Sequence, residues 1–167
     1  MRASDLKTLY NIEEQIEDAL LGVFKTAFGT EAVVTVGDPS AGRELPRCNI
    51  YASGLEALDE GLLEIDGLGD EYLRHVCNLE IQIETDNSQE EQTRAFHNLL
   101  VGRARALLLR NTIGIDATNL PFLSVEEIRL TDSDRRVDGD VTASSSLYSL
   151  RLSIRADSWP TNSGLVG

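Results

Sequence analysis

The sequence predicts an α+β domain, a largely antiparallel sheet with two helices packed on one face. Two kinds of periodicity carry that expectation. Residues 1–28 and 88–111 repeat apolar side chains at three- and four-residue steps, as amphipathic helices do. Residues 72–86 and 147–157 alternate apolar with polar side chains, as strands with one covered face do. Size agrees: 167 residues, 41% apolar and 26% charged, suffice for one packed core and do not have the composition of a disordered chain. One domain is expected over 1–160, with 161–167 a loose tail.

Leu6, Leu9, Ile12, Ile16, Leu20, Val23 and Phe24 build one stripe along the first helix, with Ser4 as its cap and Gly29 as its stop. Glu13, Glu14, Glu17 and Asp18 fall largely off that stripe and are expected to face water. Ala32 to Val36 is a short β-branched strand, ended by the turn residues 37–42. Arg47 to Ser53 alternates, with Cys48, Ile50 and Ala52 on one side. Residues 54–70 mix leucines, acids and glycines, and fit either a ragged hairpin or a helical turn. The strand at 72–86 sets Leu73, Cys77, Leu79, Ile81 and Ile83 on one face. Arg74, Asn78, Glu80, Gln82, Glu84 and Asp86 take the other.

Ser88 and Glu91 then form a capping box for the second helix. Ala95, Phe96, Leu99, Leu100, Ala104, Leu107 and Leu108 supply its inner stripe. Arg94, Asn98 and Arg105 lie outside, and Asn111 can end it. In 122–131 the alternation changes phase across Glu126-Glu127, which predicts a β-bulge. The polar stretch 132–146 reads as the long mobile tip of a wide hairpin. The returning strand, 147–157, turns Tyr148, Leu150, Leu152, Ile154 and Ala156 inward.

Charge is unevenly spread. The chain carries 28 acids and 15 bases, a formal net charge of −13. Residues 51–91 hold 12 of the acids against Arg74 alone, whereas 92–167 hold 8 acids and 9 bases. Such a balance argues against a phosphate-clamping or duplex-wrapping protein, which needs a basic face. A solvated face that keeps the protein soluble is the plain explanation of the acidic stretch. No apolar run is long enough to span a membrane, and the first residues lack a signal peptide's apolar stretch.

The residues that could carry chemistry do not converge. Cys48 and Cys77 have neither metal-site nor redox spacing and read as small buried hydrophobes of a reducing compartment. His75 and His97 lack a cysteine, serine or carboxylate at triad or metal spacing, so structural histidines are expected. Glu126 and Glu127 would point to opposite faces of a regular strand. Glu80, Glu84 and Asp86 share a face, yet without a histidine or a calcium-type loop a solvated ladder is the better reading. No catalytic residue, metal ligand or cofactor site is assigned.

One resemblance remains. The run Leu79 to Asn87 leads straight into a helix. A strand, a polar hairpin and a last alternating strand then end in Ser153-Ile154-Arg155-Ala156-Asp157-Ser158-Trp159-Pro160. In element order over roughly 1–160, and in Ile154, Arg155, Asp157, Trp159 and Pro160 of that close, the chain resembles the tail-terminator, or tail-completion, proteins of tailed bacteriophages. The acidic stretch 54–71 departs from their pattern. The resemblance implies a structural virion protein, assembled in the host cytoplasm, and not an enzyme. Such a protein forms a homo-oligomeric ring, usually a hexamer, that caps the tail tube protein, stops its polymerisation and docks the head–tail connector or stopper. DNA passes through it without specific binding.

That role gives the acids a purpose, since a negative lumen repels phosphates. The candidate channel or rim acids are Glu56, Asp59, Glu60, Glu64, Asp66, Asp70, Glu71, Glu80, Glu84 and Asp86. Candidate contacts with neighbouring subunits, tube or connector are Asp132, Asp134, Arg135, Arg136, Asp138, Asp140 and Trp159, with the 37–46 loop and the 161–167 tail as further arms. Packing of Trp159 over a helix is its plainer reading. The competing functions are a head-completion or stopper protein, a small acidic binding domain or enzyme with dispersed site residues, and an acidic adaptor that binds a basic host protein or mimics DNA.

Overall fold

A computed structural model describes residues 12–37, 44–58, 64–65, 71–110 and 123–155. Its elements are α1 (Ile12–Phe28), β1 (Val33–Val36), β2 (Arg47–Ala57), β3 (Glu64–Ile65), β4 (Glu71–Asp86), α2 (Arg94–Arg110), β5 (Leu123–Asp138) and β6 (Val141–Arg155). The strands form one sheet in the order β1-β2-β4-β6-β5, with β3 added to β4. Only β1 and β2 run parallel; every other described pairing is antiparallel. Both helices lie on the same face, α1 over β1 and β2, and α2 over β4 and toward β5. The α+β architecture expected from the periodicities is the one observed.

The period-two pattern of β4 explains its central place. Cys77, Leu79, Ile81 and Ile83 are buried beneath the helices. They stand opposite Leu55, Ala52, Ile50 and Cys48 of β2 and Leu150, Tyr148, Ser146 and Ser144 of β6. Ile16, Leu20, Phe24 and Phe28 of α1 and Leu100, Ala104 and Leu108 of α2 close the core from above. Each buried leucine, isoleucine and phenylalanine among them gives about 1.5–3 kcal/mol when it leaves water. Gly29 ends α1 with φ 56°, its amide bonded to the Lys25 carbonyl at 3.0 Å, as a left-handed glycine cap does.

Several expectations need correcting. The strand at 47–53 extends to Ala57, past a register shift between Ala52 and Gly54. Of the ambiguous stretch 54–70, Glu64 and Ile65 pair with Tyr72 and Glu71, which matches the ragged hairpin more than the helical turn. The second helix begins at Arg94, not at Ser88. Ser88 instead donates its amide and hydroxyl to Asp86 Oδ1, at 3.0 and 2.6 Å, in a turn after β4. The cap is Thr93, whose Oγ1 accepts the Phe96 amide at 3.1 Å. The fully buried inner stripe is His97, Leu100, Ala104 and Leu108, with Phe96 and Leu107 partly buried against the core as expected, while Ala95 and Leu99 face outward. Ser4, Asn111 and Ala156 lie outside the described residues.

The hairpin differs most. Its arm at 132–146 is laddered rather than looped: β5 pairs with β6 from Leu123↔Ile154 to Asp138↔Val141, around a two-residue turn at Gly139-Asp140. Gly139 supplies the positive φ, 58°, that such a turn requires. The arm does not project from the sheet. Val141 pairs with Asp86 at the end of β4, and the Asn87 amide donates to the Asp140 carbonyl at 2.6 Å. Two register shifts, at Val125/Glu127 and Leu130/Asp132, interrupt β5. The first is the bulge that the phase change predicted.

Candidate functional site

The helix-free face of the sheet gathers charges from β4, β5 and β6. On β4 it presents Arg74, Glu80, Glu84 and Asp86. On β5 and β6, the residues that pair on this face include Glu127, Asp132, Asp134, Arg136 and Arg151. The bulge brings Glu126 here as well: its carboxylate accepts from Arg74 at 3.2 Å and from the Ser153 hydroxyl. Glu126 and Glu127 thus share one face, because the extra residue cancels the alternation of a regular strand.

These acids are interleaved with partners. Arg47, only 6% exposed, donates to Glu84 at 2.5 Å. The Ser145 hydroxyl donates to Glu80 at 2.7 Å. Arg129 donates to Glu127 at 2.7 Å. Hydrogen bonds from Ser88, its hydroxyl first, hold the Asp86 carboxyl below the usual aspartate range. Burial pushes Glu126 upward, but the Ser153 and Arg74 bonds outweigh it and leave its pKa lowered. The face is a mixed ion-pair lattice rather than a uniform acidic sheet.

Of the proposed channel or rim acids, Glu80, Glu84 and Asp86 lie together on this face, and Glu56 is exposed near the end of β2. Glu64 and Glu71 are placed by backbone only, opposite Tyr72 and Ile65. Asp59, Glu60, Asp66 and Asp70 lie outside the described residues. Of the proposed contact residues, Asp132, Asp134 and Arg136 take the helix-free side of the edge strand and Arg135 the helix side. Asp138 and Asp140 sit at its turn. Trp159, the tail 161–167 and most of the 37–46 loop lie outside the described residues.

The sequence concealed a second acidic surface. An open groove at the Asp86 end is lined by Glu31, Glu44, Asp86 and Glu91, with Gln89, Gln92 and Phe96. Gln92 ties it together, accepting the Asp86 amide at 2.7 Å and donating to the Leu45 carbonyl at 3.3 Å. These acids come from three separate segments of the chain, so no local pattern could announce the groove.

The titratable groups of the core are built in. His97 is 1% exposed and bridges two strands: Nδ1 lies 2.8 Å from Thr85 Oγ1 and Nε2 lies 2.7 Å from Ser144 Oγ. Burial lowers its pKa, helped by Arg135. Burial likewise lowers that of His75. Cys48 and Cys77 are free and buried, their thiols pushed up to about 12 by burial, which removes nucleophilic character. Glu17 overturns its expected place in water. It is buried, and its carboxylate accepts the Ala52 amide at 3.0 Å where β1 has ended and left β2 unpaired. Among the described residues, no cluster of His, Cys, Asp or Glu is arranged to hold a metal, and no helix is long and apolar enough to cross a membrane.

No protein-family model matches the chain, and no curated protein matches it in sequence. Among solved structures, a chain from the virion of a native gene transfer agent particle is similar in fold, with a TM-score of 0.49 and 13% identity. The similarity covers 85% of this chain and 94% of that one.

Proposed function

We propose that the chain is a structural protein of a phage-like virion, a tail terminator that assembles into a ring on the end of the tail tube, stops tube growth and joins the tube to the head connector. The carrying observation is the agreement of element order with closing motif. Helix, short strands, long central strand, helix and two-stranded hairpin follow in the order of the family the sequence resembles. The sequence also closes on Ile154, Arg155, Asp157, Trp159 and Pro160, which resemble that family's closing motif. The role is structural rather than catalytic. His97 and both cysteines, the residues best suited to chemistry, are sealed in the core.

In the ring the helix-free face, with Glu80, Glu84 and Asp86, turns toward the channel or its rim, where carboxylates discourage DNA from sticking. The interleaved arginines speak against a DNA mimic, which needs its carboxylates unopposed. The test is electron microscopy of the purified chain alone and mixed with tail-tube subunits. Rings, or tubes that carry a cap and stop growing, are expected. A monomer that leaves tube growth unchanged overturns the assignment. Cryo-electron microscopy of capped tubes tests the lumen: if Glu80 and Glu84 lie on the outer wall, that part fails.

A further inference from the structure

α2 has two apolar faces, and the core uses only one. The inner face is His97, Leu100, Ala104 and Leu108. On the opposite side Ala95, Leu99, Gly102, Ala106 and Leu109 succeed one another at alternating four- and three-residue steps, the spacing that lays knobs along a helix–helix seam. All five are exposed, Leu99 by 53% and Leu109 by 45%. At Gly102 a side chain would meet nothing within 4 Å. A solvated helix does not require apolar residues on its outward face.

Charge decides what covers the stripe. α2 carries four arginines and no acid, in a chain whose net charge is −13; Arg103 is already paired with Glu31 and Arg105 bonds the Ser133 hydroxyl. Two α2 helices laid together would oppose arginine to arginine, so like-with-like pairing is disfavoured. α1 is the complement. It holds Glu13, Glu14, Glu17 and Asp18 against Lys25 alone, and Glu14 and Asp18 are exposed. Beside Asp18, Ala19, Gly22, Val23 and Thr26 line an open groove with Leu107. The groove is shallow because its residues are small, and Gly22 has open space where a side chain would stand. A protruding leucine fits such a floor.

We propose that the outward stripe of α2, centred on Leu99 and Gly102, docks on the acidic helix α1 of a second copy of this chain. The contact joins unlike surfaces, so it either closes a two-fold pair, α2 on α1 in both directions, or repeats from copy to copy around a ring. It requires self-association of the chain and nothing of tail tubes. A chain that associates through this seam yet ignores tubes would defeat the tail-capping role and leave the seam standing.

The test measures self-association of the full chain by sedimentation, with Leu99→Glu, Gly102→Glu and the double variant Glu14→Arg/Asp18→Arg beside it. Each change is at an exposed position, and unchanged melting curves will show that the fold survives. Each should weaken association by about tenfold or more, and raised salt should weaken the unaltered chain. Crosslinking supplies the direct arm: Leu99→Cys chains mixed with Gly22→Cys chains should form the mixed disulfide, with buried Cys48 and Cys77 silent. A chain that stays monomeric, association that ignores Leu99→Glu, or a product dominated by Leu99→Cys paired with itself overturns the proposal.

Discussion

The covered side of the sheet has two halves with opposite chemistry. In one, Cys77, Leu79, Leu150 and Leu152 pack against Ile50 and the helices, and the buried polar group is Glu17, tied to the Ala52 amide. In the other, toward the Asp86 end, Thr85, Thr142, Ser144 and Ser146 point into the same layer, and Thr85 and Ser144 hold His97. The first half excludes water and is indifferent to small shifts. The second depends on atoms meeting atoms: one helical turn of slippage would separate His97 from both Thr85 and Ser144. The apolar half supplies most of the stability, and the hydroxyl half fixes where α2 stands along the strands.

The largest expected effect is in the apolar half. Leu150→Ala should cost about 2–5 kcal/mol, read as a lowered urea midpoint at unchanged slope. In the hydroxyl half Ser144→Ala leaves His97 Nε2 buried without its partner, at a cost of about 1–3 kcal/mol. A loss of both partners is different: His97→Leu combined with Ser144→Ala should recover part of the cost, because no polar atom is then stranded. If the double variant is as unstable as the two single losses added together, the hydroxyl half is not a coupled network and the contrast between halves fails.

The same contrast explains what was legible in the sequence. β4 and the 147–155 part of β6 are readable because their inward residues are leucine, isoleucine and tyrosine. Residues 141–146 of the same strand are not, since Thr142, Ser144 and Ser146 turn inward and erase the apolar alternation. Residues 131–138 fail for a second reason: as an edge strand they are exposed throughout, and only pairing with β6 reveals them. On α2, two apolar stripes at similar spacing merge into one broad pattern, in which the outward Leu99 reads as inward. Glu17 gave no signal at all, because the unpaired Ala52 amide it satisfies is 35 residues away. Of the candidate site, the shared face of Glu80, Glu84 and Asp86 was legible from parity, but their partners on β2 and β6 were not.

A smaller effect separates the two signals at the start of α2. Thr93→Ala should cost about 1 kcal/mol, as loss of an N-cap does, whereas Glu91→Ala should cost almost nothing. Equal losses at the two positions, measured by thermal melting, would return the cap to Ser88 and move the hydroxyl half's boundary by a turn.

The finest distinction is a slope with pH rather than an offset, and the halves should show it with opposite sign. Burial raises the Glu17 carboxyl above its ordinary value near 4.5, so folding favours its protonated form. Its contribution is fully present below that value and is lost as pH rises through the higher folded pKa. Burial lowers His97 below its ordinary 6.5, so folding favours neutral imidazole. Its contribution is present above 6.5 and is lost as pH falls through the lower folded pKa. Between pH 7 and 5, acidification should therefore narrow the stability lead of the parent over His97→Gln, while the parent gains on Glu17→Gln. Denaturation curves at half-unit pH steps read both differences. Parallel slopes for the two variants would mean that His97 titrates as though solvated, and the hydroxyl half would then be a loose end of the core rather than a closed network.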